Sequence, residues 1–211
     1  VGEVWINTQF EKTAGKTKPG TITVLDASTW KIKGKIALPK INMNNPHNMW
    51  SNRDQSIIFQ TQWFDNKLTF INREDGSLIN NIQIGNTPSH VVTLPTNDDL
   101  TVAINGENGV RIIPAGTMEP EPMIMTQLPG QTAAGPHGHW VTPDGKLIVT
   151  PNTNTSEIGL YDTTTGGIVA RTAAGGVFPA APHPLAVGVS VDKVYTTNLL
   201  DHSMNVTGYD G

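Results

Sequence analysis

Four times in this chain a histidine stands one or two residues after a proline: Pro46-His47, Pro88-Ser89-His90, Pro136-His137 and Pro182-His183. The intervals between these histidines are 43, 47 and 46 residues. A fifth, His139, stands two residues after His137 in "PHGHW", a stretch that nearly repeats "PHNMW" at 46–50. A neutral imidazole is a borderline ligand that suits copper, zinc, iron or nickel. The chain has no cysteine, so thiolate metal sites, thiol nucleophiles and disulfides are excluded. Imidazoles without thiolates lean towards copper. The expected ligand set is His47, His90, His137 and His183, with His139 as a possible fifth. If the set holds metal, more than one copper ion is expected, and another transition metal is the alternative. Against this stands a structural role, in which each imidazole hydrogen-bonds between neighbouring repeats.

Groups for acid–base chemistry are sparser. The connection "NTQFEKTAGKTKPG" (7–20) carries Glu11, Lys12 and Lys16. Glu107 in "INGENGV" and Asp65 in "TQWFDNK" follow comparable strand-like runs. Glu11, Lys12 and Glu107 are the candidates for a carboxylate ligand or a proton donor, the other reading being solvated loops. Trp50, Trp63 and Trp140 either wall a pocket or pack between elements, and packing is expected of Trp50 and Trp140. His202, in "LLDHSMN", is expected to be exposed.

The elements that must carry these side chains are strands. Runs such as "GTITVLDA", "QSIIFQTQ", "NKLTFINR", "KLIVTPNT" and "EIGLYDT" are rich in β-branched and aromatic residues and end at Gly, Pro, Asn or Asp. Turn signals are explicit in "EDGS" (74–77), "PDGK" (143–146) and "TTGG" (164–167). A self-similar unit of about 40–50 residues made of four short strands is the blade of a β-propeller. The expected fold is therefore an all-β propeller of four-stranded antiparallel blades, at 1–44 (partial), 45–87, 88–134, 135–181 and 182–211 (partial). That gives about four to five blades. Both partial ends supply a second and a third strand, so the expectation is part of a six- to eight-bladed ring, completed by the rest of the propeller or by another copy. A closed five-bladed ring is the alternative. Histidines at the start of each inner strand would then face one axis, and alternation would put His137 and His139 on one face.

Composition narrows the function. Of 211 residues 37% are apolar, with 21 Gly and 15 Pro, and the net charge is −4 without runs of like charge. Nucleic-acid binding, which needs a basic stripe, is not expected. No apolar run is long enough to span a bilayer.

The segments "GPHGHWVTPDGKLIVTPNTNTSEIGLYDTTTGGIVA" (135–170), "DNKLTFINREDGSLINNIQIGNTPSHVV" (65–92) and "VDKVYTTN" (191–198) resemble the YVTN-type β-propeller repeat. That repeat is specific for fold and hosts many activities; propellers associated with haem d1 and with quinoproteins resemble it too. A histidine-lined propeller of this type also resembles the propeller domain of nitrous oxide reductase and thiocyanate dehydrogenase. In both, histidines from successive blades hold a multinuclear copper centre. The chain departs from the first in having no adjacent His-His pair and no Cys- and Met-bearing cupredoxin segment. The resemblance implies a periplasmic or extracellular copper oxidoreductase acting on a small inorganic substrate and passing electrons to a partner. The alternative is a non-catalytic YVTN-type propeller serving as a binding or surface scaffold.

Overall fold

The computed structural model describes residues 2–174 and 183–209. The blade boundary expected at 181–182 and the terminal residues 1, 210 and 211 lie outside the described residues. Contacts divide the chain into two compact units, Val1–Pro88 and Ser89–Gly211. Apart from two single-turn 3-10 helices, every regular element among the described residues is a strand.

The first unit holds two antiparallel sheets. One has β1 (Glu3–Thr8), β2 (Thr21–Asp26) and β3 (Ile32–Ile36), ordered β1-β2-β3. The other has β4 (Pro46–Ser51), β5 (Ile57–Gln62), β6 (Lys67–Asn72) and β7 (Leu78–Gln83), paired in chain order. Ile22, Met43, Ile58 and Ile71 form an apolar core between them, joined by Trp5, Ile36 and Met49.

The second unit holds three sheets. The first has β8 (Pro88–Thr93), β9 (Leu100–Ile104), β10 (Gly109–Ile113) and a two-residue β11 (Ile124–Met125). The next has β12 (Trp140–Val141), β13 (Leu147–Asn152), β14 (Glu157–Asp162) and β15 (Ile168–Ala173). The last has three strands, β16 (Pro184–Val189), β17 (Val194–Asn198) and β18 (Met204–Thr207). Trp140 packs against two buried clusters, one around Val110, Ile148 and Tyr161 and one around Val149, Leu160 and Val187. Its indole is packing, as expected. Trp50 is 39% exposed, so the packing expected of it is at best partial.

The repeat extends to its irregularities. β2, β6 and β14 end at Asp26, Asn72 and Asp162, whose side-chain oxygens accept backbone N–H groups two or three residues on. These Asx turns reverse the chain into the outer strand. Each is preceded by the same register shift, between Val24 and Leu25, Phe70 and Ile71, and Leu160 and Tyr161. One extra residue in the strand adds local twist there. The pattern "LDAST", "INRED" and "YDTTT" is thus the sequence form of one structural device.

Candidate metal site

In the second unit two of the proline-linked histidines meet. The rings of His90 and His137 lie 5.0 Å apart, centroid to centroid, and are tilted by 56°. A ring nitrogen of one lies within 4.8 Å of a ring nitrogen of the other. Both residues are half-buried. Two imidazoles on a single ion with 2.0–2.1 Å bonds stand about 2.9–4.2 Å apart, depending on the geometry, so a side-chain adjustment of under about an ångström would bring these into range.

The backbone holds the pair. Ser89, on the chain next to His90, puts its hydroxyl 3.0 Å from the carbonyl of His137. Asn105 donates from Nδ2 to the carbonyl of Pro136 at 3.2 Å. On the other side Gly138 forms a parallel bridge with Ala186, donating to Leu185 O and accepting from Val187 N, both at 2.9 Å. A Cβ at position 138 would come within 2.8 Å of the Ala186 Cβ and 2.9 Å of Leu185 O. Only glycine allows that approach, which is why the repeat reads "PHGHW" here.

The same Leu185 carbonyl lies 3.1 Å from Nδ1 of His137. A carbonyl only accepts, so Nδ1 carries the proton and the ring's lone pair sits on Nε2. Metal-binding imidazoles have this arrangement: one nitrogen donates to a fixed acceptor and the other is a base. Burial holds the His137 pKa below its ordinary value, with the Leu185 contact working the other way. The ring is therefore neutral at pH 7.

His139 does not join them. It is fully buried, with Nε2 2.8 Å from the hydroxyl of Thr101. That hydroxyl donates to Val92 O at 3.1 Å, so its oxygen accepts from His139 Nε2–H. Nδ1 is then a buried acceptor without a hydrogen-bond partner. The alternation that would align His137 with His139 is missing, because 136–139 forms only isolated bridges and the backbone N–H of His139 turns back to His137 O at 2.9 Å. Burial pushes its pKa down to about 3, the Thr101 contact opposing and the neighbouring His137 adding to the shift. His183 is half-buried in the left-handed region (φ 50°), its carbonyl accepting from Leu199 N at 3.0 Å, and it is not grouped with His90 and His137. His202 is exposed.

In the first unit His47 opens β4. Its ring lies against Trp63, the centroids 4.7 Å apart and the planes tilted by 48°, and its Nδ1 lies 2.8 Å from the amide nitrogen of Gln9. With that amide orientation Gln9 donates to Nδ1; a half turn of the amide puts its oxygen there instead and moves the ring proton to Nδ1. Trp63 is thus a neighbour of the imidazole, a contact that its sequence position alone did not specify.

The acid–base candidates are engaged elsewhere. Glu11 is ion-paired with Lys35 and accepts from the Thr21 hydroxyl, and these contacts hold its carboxyl below the usual range. Lys12 is exposed on the same connection. Lys16 donates to Gly20 O. Glu107 lies 3.8 Å from Arg111, and Asp65 is paired with Lys18 at 2.6 Å.

No protein-family model and no curated protein matches the sequence. Solved structures match its fold. A virginiamycin B lyase from Staphylococcus aureus aligns over 100% of this chain and 67% of its own length, at 20% identity and a TM-score of 0.68. A streptogramin B lyase aligns over 90% of this chain and 62% of its own, at 18% identity and a TM-score of 0.67. The Cps50 (Swd1) β-propeller domain of Myceliophteria thermophila aligns over 89% and 58%, at 13% identity and a TM-score of 0.69. The fold is a β-propeller, and the five antiparallel sheets are its blades. At these identities the likeness reaches no further than the fold, and none of the three is described as a copper protein or a YVTN-type protein.

Proposed function

We propose that this chain is a β-propeller that binds a transition metal through imidazoles, with His90 and His137 as its first two ligands. The observation that carries the reading is the Nδ1 contact of His137 with Leu185 O, which turns the Nε2 lone pair into a ligand beside a second imidazole. Copper is the preferred metal, since a site of nitrogen donors without thiolate favours it at the top of the divalent series. His47 holds the corresponding entry position in its own repeat and is the next ligand that the spacing offers. On this reading the protein is a periplasmic or extracellular oxidoreductase for a small inorganic substrate, with an electron-transfer partner. Half-burial of both imidazoles supports it, because a partly dry site retains its metal and still admits a small molecule.

The test is metal analysis. Protein stripped with chelator and loaded with copper binds at least one equivalent, and its Cu(II) resonance shows nitrogen coupling. His137→Ala and His90→Ala each lose most of that metal with unchanged circular dichroism, and acid releases it as the imidazoles protonate. Binding of less than one equivalent, or binding unaffected by both substitutions, would refute the reading and leave a non-catalytic scaffold. His47→Ala in the same titration decides whether that residue belongs to the set.

A further inference from the structure

Charge is unevenly spread along the chain. Residues 12–40 carry seven of the 14 Lys and Arg residues and one carboxylate, Asp26, while the rest carries seven cations and seventeen carboxylates. The basic segment includes β3, which closes the outer side of its sheet. Among the described residues no strand pairs with its far edge. Lys31, Ile32, Lys33, Gly34 and Lys35 are all exposed. Trp30 is 67% exposed and Ile32 62%. The outer strands β7 and β15 contain no lysine and are more covered.

Lysines on an edge strand often serve only to keep other chains away. A guarded edge does not need a tryptophan and an isoleucine displayed beside its lysines. The pairing with β2 sets Ile32 opposite Leu25 and Lys35 opposite Thr23, so these two share a face, while Lys33 is the extra residue at the register shift. Lys33 and Lys35 already hold Glu3 and Glu11, which fixes both side chains against the sheet. Beyond Ile36 the edge runs into a groove of about 530 Å³ whose lining includes Lys35, Ile36, Leu38, Lys40, Asp75 and Leu78, all of the first unit.

We propose that the outer edge of β3 is a strand-addition site for an extended acidic segment of a partner protein. The unpaired backbone groups supply the main-chain hydrogen bonds. Carboxylates of the guest reach the lysines that flank and stud the strand, its apolar side chains lie beside Ile32, and an apolar end enters the groove. A second copy of this chain does not fit, because pairing β3 with β3 sets lysine against lysine. A lipid surface does not fit either, because it leaves the edge N–H and C=O groups without partners.

The probe is a capped octapeptide of alternating Glu and Val, with a Lys-Val octapeptide as control. The acidic peptide binds saturably and more weakly at higher salt, shifts the tryptophan emission to the blue as Trp30 is covered, and slows amide exchange at 32–36. The double variant Lys31→Glu, Lys40→Glu, which touches no ion pair described above, weakens binding about tenfold. Ile32→Asn weakens it while the circular dichroism stays unchanged. Equal binding of the Lys-Val peptide, equal binding by the charge-reversed variant, or absence of protection at 32–36 would overturn the proposal. Binding to phosphatidylglycerol vesicles without peptide binding would replace it with a membrane contact.

Discussion

His139 makes the acid sensitivity of this fold calculable. The ring is fully buried and neutral, with its Nε2–H on the Thr101 hydroxyl and no acceptor for a proton at Nδ1. Its pKa is about 6.5 in an unfolded chain and is pushed down to about 3 by burial when folded. A group whose folded pKa is depressed contributes stability that is fully present above the unfolded pKa and is lost as pH falls towards the folded one. The window is therefore pH 6.5 down to about 3. Within it each pH unit costs about 1.4 kcal/mol, so the fall from pH 7 to pH 5 removes about 2 kcal/mol through this residue alone. The perturbation is His139→Gln, whose amide N–H can still reach Thr101 but does not titrate. The assay is urea unfolding followed by tryptophan fluorescence at pH 7, 6 and 5, with chelator present throughout. The carboxylates and His137 titrate in both proteins and drop out of the difference. The wild type should lose about 2 kcal/mol more than the variant between pH 7 and pH 5, whatever constant offset the substitution introduces. Stability curves that run parallel to within about 0.5 kcal/mol would show that His139 does not remain buried and neutral.

Two further substitutions probe the scaffold. Gly20→Ala should destabilise by about 2–4 kcal/mol, because Gly20 has φ 120° and a Cβ there would lie 2.3 Å from Pro46 Cδ; chemical denaturation reads it. Arg171→Met should cost about 2 kcal/mol, less than a fully buried pair because its partners are partly exposed. Arg171 donates to Thr126 O at 2.7 Å and to Gln131 Oε1 at 3.1 Å and pairs with Glu157. Burial alone would raise the Glu157 pKa, yet the contacts with Arg171, Thr155 and Gln131 bring it below the usual range. Removing Arg171 should therefore move it up, which carboxyl-resolved NMR titration detects.

The propeller was legible in the sequence because its cause is local. Alternating runs such as "KLTFIN" and "EIGLYD" define strands, and Asp26, Asn72 and Asp162 turn the chain through bonds to groups two or three residues away. β11 was harder to see: Pro120 and Pro122 interrupt the segment before it, and two residues carry no periodicity. The meeting of His90 with His137 was partly legible, since spacing places both at the start of a repeat but says nothing of ring orientation. That orientation comes from Leu185 O, contributed by another blade 48 residues away.

His139 marks the division. Its sequence separation from His137 is that of two side chains on one strand face, and the chain there does not form a strand. Gly138 bridges to Ala186 instead, and the backbone of His139 folds back onto His137. Sequence alone determined the strands, turns and repeat period, because alternation, Asx turns and glycine geometry act over a few bonds. Tertiary structure decided which imidazole meets a carbonyl at Nδ1 and which is sealed in the core. Burial and the identity of a hydrogen-bond acceptor depend on residues distant in the chain, and no local pattern encodes them.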